Sequence, residues 1–449
     1  MIRLVVTLDQ WRTILRAAVD PALIALGRTG FHSGGTKERI LLREVSLLPR
    51  ERYNDASQAQ DCVFLAGSFE GKEKNNIGQL LKTLVPNLDR LTMLWLGRNE
   101  NCGQVCAIHY RGGKRFRIDE LEVIGLAHGV IPLNGKSSGV KEGFFGDKIS
   151  GLYSRIIGAL GESSWQRLRQ SSVAIVGCGG SGWHGALQLA LLGVNKLTLI
   201  DGDVIERGNR GVMFAREADE GRPKVEALRD FLTSIRPQLQ VKPLKVWAQD
   251  SAGLAAMREA DLILTTVDNN IARLVAARIA SAYMRLHIDI GTGVHRFANE
   301  TEEEEKIKAD GQEQRRILGA DIRLFLPGDS CIYCLGGVRN VEEAAYDLAA
   351  PPGSLRIGRA RHWYEERAGS LPTLNTVAVG LGLTLWHEYL CGRIESSLWL
   401  RAFLGAGRGG GVEIVQRNVR ADRSSQCENC RELGKGDSIL ASPLDKVIC

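Results

Sequence analysis

The run VGCGGSG, Val176–Gly182, follows the β-branched apolar stretch Ser172–Val176 and leads into the helical segment SGWHGALQLALLGV, Ser181–Val194. Strand, glycine loop and helix in that order build a phosphate site. Glycines let the backbone approach the anion, and the helix N-terminus presents free N–H groups and the positive end of its dipole. The next apolar run, KLTLID (Lys196–Asp201), ends on an acid suited to a ribose hydroxyl. PKVEALRDFLTSI (Pro223–Ile235) reads as a helix; DLILTTVD (Asp261–Asp268) and LHIDIG (Leu286–Gly291) read as strands. Strands alternating with helices predict an α/β, Rossmann-like unit with a mostly parallel sheet. On these residues alone an NAD site is the default reading.

The rest of the chain bounds that reading. It has 449 residues, 44% hydrophobic and 24% charged, which suits two to three folded domains and excludes wholesale disorder. No run reaches the roughly 18 apolar residues of a membrane span, and the most apolar stretch, VAVGLGLTLW (Val377–Trp386), is too short. The N-terminal MIRLVVTLDQW meets Asp9 before a signal-like core forms, so the expectation is a cytoplasmic protein with no membrane contact. The net charge of +6, spread over 58 basic and 52 acidic residues, does not call for nucleic acid. Ten cysteines in such a chain do not predict a disulfide framework.

Upstream, RILLREVSLL (Arg39–Leu48), LTMLWLG (Leu91–Gly97), QVCAIHY (Gln104–Tyr110) and FRIDELEVIG (Phe116–Gly125) read as strands of a smaller α+β domain over residues 1–133. The Gly/Ser/Lys-rich stretch within 134–150 is the expected linker, and 151–449 the nucleotide-binding domain. TEEEEKIKADGQEQRR (Thr301–Arg316) reads as a solvated surface insertion.

The residues downstream of the glycine loop argue against NAD. They resemble the ThiF/MoeB family, the adenylating domains of ubiquitin-activating enzymes. The family pattern is G-x-G-G-x-G, then D-x-D-x-V-x-x-x-N, G-x-x-K and T-D-N-x-x-x-R. It is matched by Gly177, Gly179, Gly180 and Gly182, by Asp201, Asp203 and Asn209, by Gly221 and Lys224, and by Thr266, Asp268, Asn269 and Arg273. The entry segment, whose arginine is Arg155, also looks like the family's, and the likeness covers about Leu152–Arg431. The resemblance implies an enzyme that joins a carboxylate to the α-phosphate of ATP and releases pyrophosphate. Lys224 would neutralise phosphate charge, Asp268 would hold Mg²⁺, Asp201 would take the ribose, and Asn209 with an arginine would steady the phosphates. No general base is needed for that step, because a carboxylate is ionised at neutral pH. The family places an arginine three positions after the asparagine. Here Val212 stands there and Arg210 follows Asn209 directly, leaving Arg210 or Arg216 for the role. Family membership also implies a homodimer in which Arg155 reaches the neighbour's ATP.

Cys331-Ile-Tyr-Cys334 and Cys427-Glu-Asn-Cys430 are two knuckles spaced for one structural Zn²⁺; two redox pairs are the other reading of that spacing. The resemblance favours zinc. Many relatives pass the adenylated protein to a cysteine between the knuckles, yet Leu335–Gly380 contains none. Cys391 and Cys449 are the remaining candidates for a thioester, and a thiol on a partner is the alternative. Residues 1–133 resemble the JAB/MPN metalloprotease domains but lack His-x-His, with His32, His109 and His128 isolated, which implies an inactive scaffold. The reading is ATP-dependent activation of the C-terminal glycine of a ubiquitin-like protein, acting with a conjugating enzyme in a bacterial conjugation system such as one used in phage defence. Adenylation of a sulfur-carrier protein, a peptide or a tRNA base, or a non-catalytic scaffold, are the alternatives.

Overall fold

The computed structural model describes residues 1–20, 22–34, 38–49, 63–68, 90–99, 102–112, 114–125, 130–133, 147–296, 316–336, 370–404 and 411–441. The acidic stretch 301–315, most of the expected linker, and Cys62, His128 and Cys449 lie outside them.

The N-terminal part is one mixed sheet of nine strands. They are β1 (Ile2–Thr7), β2 (Leu23–His32), β3 (Glu38–Pro49), β4 (Val63–Ser68), β5 (Arg90–Asn99), β6 (Cys102–Arg111), β7 (Lys114–Arg117), β8 (Glu120–Ile124) and β9 (Val130–Pro132). Their order is β7-β6-β5-β4-β2-β3-β1-β8-β9. Helix α1 (Leu8–Val19) starts where Thr7 caps it: the Thr7 hydroxyl accepts from the Gln10 N–H, and the Gln10 side chain accepts from the Thr7 N–H. Trp11, Ile14 and Ala17 recur at helical spacing and close over Leu4, Val6, Ile40 and Leu42. The single strand expected over Phe116–Gly125 is two, β7 and β8, because the chain turns at Ile118 and the Asp119 carboxylate accepts from the Ile2 N–H at 2.9 Å.

Alternate residues of a strand face opposite ways. Val5, Leu41 and Ile124 therefore point away from α1, and they join one buried cluster with Leu168, Val173 and Leu390 of the following domain. The two sheets share a core. The last residues of the expected linker, Asp147–Ser150, already form the first turn of α2 (Asp147–Leu160), which is followed by α3 (Glu162–Gln170).

The second sheet has the order β12-β11-β10-β13-β14-β15-β16-β17. β10 (Ser172–Val176), β11 (Lys196–Ile200), β12 (Gln240–Leu244), β13 (Leu262–Thr265) and β14 (Leu286–Arg296) are parallel. Helices α4 (Gly180–Leu192), α5 (Lys224–Ile235), α6 (Ser251–Glu259) and α7 (Asn270–Ala282) alternate with them. This is the predicted Rossmann-like unit. β15 (Arg316–Phe325), β16 (Leu398–Leu404) and β17 (Val412–Asn418) extend it antiparallel, with α8 (Pro372–Leu390) packed on α4, β14 and β15. The apolar run Val377–Trp386 lies within α8, and no helix among the described residues is long and apolar enough to cross a membrane.

The N-terminal sheet docks at the amino ends of the parallel strands. Asp261, just before β13, accepts from the N–H and hydroxyl of Ser172 at 2.9 and 2.8 Å and from Arg39 at 3.2 Å. The carboxyl ends, where ligands bind in open α/β sheets, lie on the opposite side.

Candidate functional site

Three strands deliver the predicted residues to one place. After β10 the chain turns at Gly177, whose φ of +92° favours glycine. Its N–H donates to the Ile200 carbonyl at 2.9 Å, and its carbonyl accepts from the Thr266 hydroxyl at 2.7 Å. This stitches the loop to the ends of β11 and β13. A Cβ at Gly182 would stand 2.1 Å from the Gly177 carbonyl oxygen, and one at Gly180 would stand 2.5 Å from the Asn375 amide nitrogen. These two glycines are required by the protein's own packing. Gly179 differs: a Cβ there meets nothing within 4 Å. The space above it, at the N-terminus of α4, is open, as an anion-binding loop requires.

Asp201 ends β11. Its carboxylate accepts from the Cys178 N–H at 2.6 Å and the Asp203 N–H at 2.9 Å. Burial raises its pKa, against the opposing pull of Lys224 and those two donors. Lys224 is buried at the first turn of α5, and its Nζ donates to Asp203 at 2.8 Å. Burial works against the ammonium, but Asp201 and Asp203 outweigh it and hold the pKa above the ordinary lysine value. The lysine is positioned by backbone pairing of its loop onto the Asp203 loop: Lys224 N–H to the Asp203 carbonyl at 3.0 Å, and Ile205 N–H to the Arg222 carbonyl at 2.9 Å.

Asn209 turns inward locally, its side-chain oxygen accepting from the Glu206 N–H at 3.1 Å. Arg210 pairs with Glu220 at 3.4 Å and Glu217 at 3.8 Å, and Arg216 with Asp219 at 3.0 Å. Both arginine candidates are thus tied to acids of their own loop. Arg155 is exposed on α2.

Asp268 is exposed just past the end of β13, and Asn269 caps α7 by accepting from the Ala272 N–H at 2.8 Å. Beneath them lies a network that the pattern of the sequence does not reveal. Arg273 donates to the Val267 carbonyl at 2.9 Å and reaches Asp289 at 3.2 Å. Asp289 is wholly buried, pairs with Arg323 at 2.9 Å and accepts from the Thr265 hydroxyl at 2.7 Å. Thr265 also meets His287, which burial holds neutral, its pKa lowered to about 4. The backbone preceding Asp268 is therefore anchored from below. The signals in the sequence were Arg273 of the family pattern and an acid inside the strand LHIDIG.

The four knuckle cysteines converge. The Sγ of Cys331 lies 3.8 Å from Cys334, 3.6 Å from Cys427 and 3.6 Å from Cys430, and Cys334 lies 3.6 Å from Cys430. Sulfurs bound tetrahedrally at about 2.3 Å stand about 3.8 Å apart, whereas a disulfide needs about 2.05 Å. The set fits a closed structural zinc, and it is the one such cluster among the described residues. Of the other thiols, Cys178 is buried beside Asp201, and burial raises its pKa far above the usual value. Cys391 is half-buried against the Leu160 carbonyl.

Part of the chain is similar to known proteins. Residues 153–301 match the ThiF family, so this stretch is a ThiF family domain. Molybdopterin-synthase adenylyltransferase of Escherichia coli is 38% identical over 105 residues, 23% of this chain and 42% of that one. Ubiquitin-like modifier-activating enzyme 5 of Caenorhabditis elegans is 33% identical over 123 residues, 25% and 29% of the two chains. The chain thus spans less than half the length of these relatives. The E. coli MccB structure with MccA-N7isoASN superposes with a TM-score of 0.45 at 18% identity, covering 75% of this chain and 97% of that one.

Proposed function

We propose that the protein adenylates the C-terminal carboxylate of a ubiquitin-like or sulfur-carrier partner with ATP. What supports this is that Asp201 holds the glycine loop through the Cys178 N–H, Lys224 pairs with Asp203, and Asp268 follows β13, the strand beside β10. A carboxylate oxygen attacks the α-phosphorus, the bond to the β-phosphate oxygen breaks, and pyrophosphate leaves. Negative charge gathers on the phosphates, so positioning and cationic stabilisation supply most of the catalysis. Lys224 and the N-terminus of α4 face that charge. Asp201 takes the ribose. Asp268 would hold Mg²⁺, which would supply positive charge against the phosphates. Cys331, Cys334, Cys427 and Cys430 would hold zinc as a clip, with no open position for chemistry.

The finer reading is a ubiquitin-like conjugation system of a bacterium, serving phage defence, with a conjugating enzyme downstream. It is a cytoplasmic homodimer in which Arg155 of one copy reaches the ATP of the other. The exposure of Arg155 and of Leu152 on α2 supports that role. The names of the relatives support both a ubiquitin-like and a sulfur-carrier substrate. ATP–pyrophosphate exchange in the presence of each candidate partner tests the proposal. Exchange dependent on one partner supports it, and exchange with neither, despite ATP binding, removes it.

A further inference from the structure

Helices α4 and α8 meet beside the glycine loop in two side-by-side polar pairs. In the first, the Ser181 hydroxyl donates to the Asn375 side-chain oxygen at 3.2 Å, as does Thr292 at 3.2 Å. In the second, His184 Nδ1 lies 2.9 Å from the Thr376 hydroxyl oxygen. A threonine hydroxyl has one proton. Thr376 donates it to the Pro372 carbonyl at 2.8 Å, an acceptor only. The shared hydrogen bond to His184 therefore takes its proton from the imidazole. Nδ1 carries the hydrogen, and the Nε2 lone pair is left free.

That lone pair is well placed. His184 is one helical turn beyond the loop, three positions after Ser181. The Nε2 atoms of His32, His109 and His387 are sealed in the interior, while His184 is buried but keeps 8% of its surface exposed. Its ring meets Phe214 edge-on at 4.8 Å. Phe214 follows Val212, whose carbonyl lies 3.1 Å from a Cβ built on Gly180. The segment carrying Arg210 thus wraps the N-terminus of α4 and ends on His184. The imidazole meets Thr376 from α8 and Phe214 from the loop, neither of which titrates near neutrality. Burial alone lowers its pKa.

We propose that His184 is the proton acceptor for a thiol that attacks the acyl-adenylate. This rests on the adenylation reading and adds its second half. As the bond between sulfur and carbonyl carbon forms, Nε2 takes the thiol proton. The bond between carbonyl carbon and phosphate oxygen breaks, and AMP leaves with its electron pair. The imidazolium then returns its proton to solvent. The thiol is the partner's, the alternative to Cys391, which is half-buried against the Leu160 carbonyl, and to Cys449.

Carbethoxylation of the full chain by diethylpyrocarbonate, mapped peptide by peptide between pH 6 and 7.5, tests it without the unknown partner. Sealed imidazoles react slowly, so His184 is expected to react at least about tenfold faster than His109, His287 and His387. Its rate should fall when 5′-O-(N-glycylsulfamoyl)adenosine, a stable mimic of the acyl-adenylate, is bound. Nitrogen-15 spectra should show the Nδ1–H tautomer, lost in Thr376→Val and restored in Thr376→Ser. Equal reactivity of the four histidines, or no protection by a mimic that calorimetry shows to bind, overturns the role of His184 and leaves adenylation standing. Failure of both the mimic and ATP to bind overturns both.

Discussion

The Lys224 ammonium lies 2.8 Å from the Asp203 carboxylate, so the cation proposed to face the phosphates rests on an internal counter-ion. ATP phosphates arriving above the glycine loop compete with Asp203 for a charge already buried and aimed. Lys224→Ala should cut ATP–pyrophosphate exchange by about 10²–10³-fold, the scale of losing one preorganised electrostatic contact. The lysine's pKa is raised, so the pair's contribution is complete below the ordinary value and fades only as pH climbs through the higher folded one. ATP affinity measured by calorimetry should show no loss from this group between pH 6 and 9.

Two glycines of one loop should separate folding from binding. Gly182→Ala puts a methyl 2.1 Å from the Gly177 carbonyl oxygen, so backbone must move, at a cost of about 1–3 kcal/mol. Gly179→Ala meets no protein atom and should change stability by less than about 0.5 kcal/mol, yet weaken ATP binding as the methyl enters the phosphate space. Urea unfolding paired with nucleotide titration reads both. A Gly179→Ala protein that binds ATP normally would move the phosphates elsewhere.

Acid should loosen the fold in a defined window. Burial lowers the pKa values of His109, His287 and His387 to about 4 each. A histidine whose folded pKa is depressed takes up its proton first in the unfolded chain. Stability is complete above the unfolded pKa of about 6.5 and declines as pH falls toward 4, by up to about 1.4 kcal/mol per pH unit for each group. Melting temperatures followed from pH 7.5 to 4.5 should drop, and His287→Asn should flatten the slope. An unchanged slope would show that other groups dominate.

Asp289 is the keystone under Asp268. Asp289→Ala leaves Arg323 and Arg273 without their buried counter-ion and should destabilise the protein by about 3–5 kcal/mol. Asp289→Asn keeps the shape and should retain more stability while still depressing exchange, because Arg273 loosens its hold on the Val267 carbonyl. Thermal melts and exchange rates distinguish a scaffold role from one in orienting Asp268.

One zinc ion per chain should be released on thiol modification with mercurial, detected with a metallochromic dye. Removal should also loosen the N-terminal sheet. The segment after Cys430 runs onto β2: Gly436 bridges Phe31, and Asp437 lies 3.2 Å from His32 and accepts from the Ser33 N–H at 3.0 Å. Hydrogen exchange at Phe31–Ser33 should rise in Cys427→Ser. Unchanged protection there would show that the clasp holds without its metal.

The nucleotide half was legible because its information is local. Ser172–Val176, Lys196–Ile200 and the helix from Lys224 stand where periodicity and glycines put them. Features built from distant residues were not legible. The Thr265–Asp289 bond joins neighbouring strands, and only the register of β13 on β14 brings the two together. The N-terminal elements β1, α1 and β2 escaped pattern reading, since LVVTLDQW blends strand and helix at the Thr7 cap. The shared core of Val5, Leu41 and Val173 likewise depends on which face of a nine-stranded sheet meets which neighbour.

The meeting of Phe31 with Gly436, and of Asp9 with Arg420, has a consequence for biosynthesis. A chain emerging from the ribosome cannot close these contacts until Arg420 and Gly436 are free of the exit tunnel. Until then the edge of the N-terminal sheet around Phe31 and the start of α1 at Asp9 stay without these partners. Ribosome pausing before Gly436 would prolong that unfastened state, and a product cut short of it would lack the fastening for its own first strands.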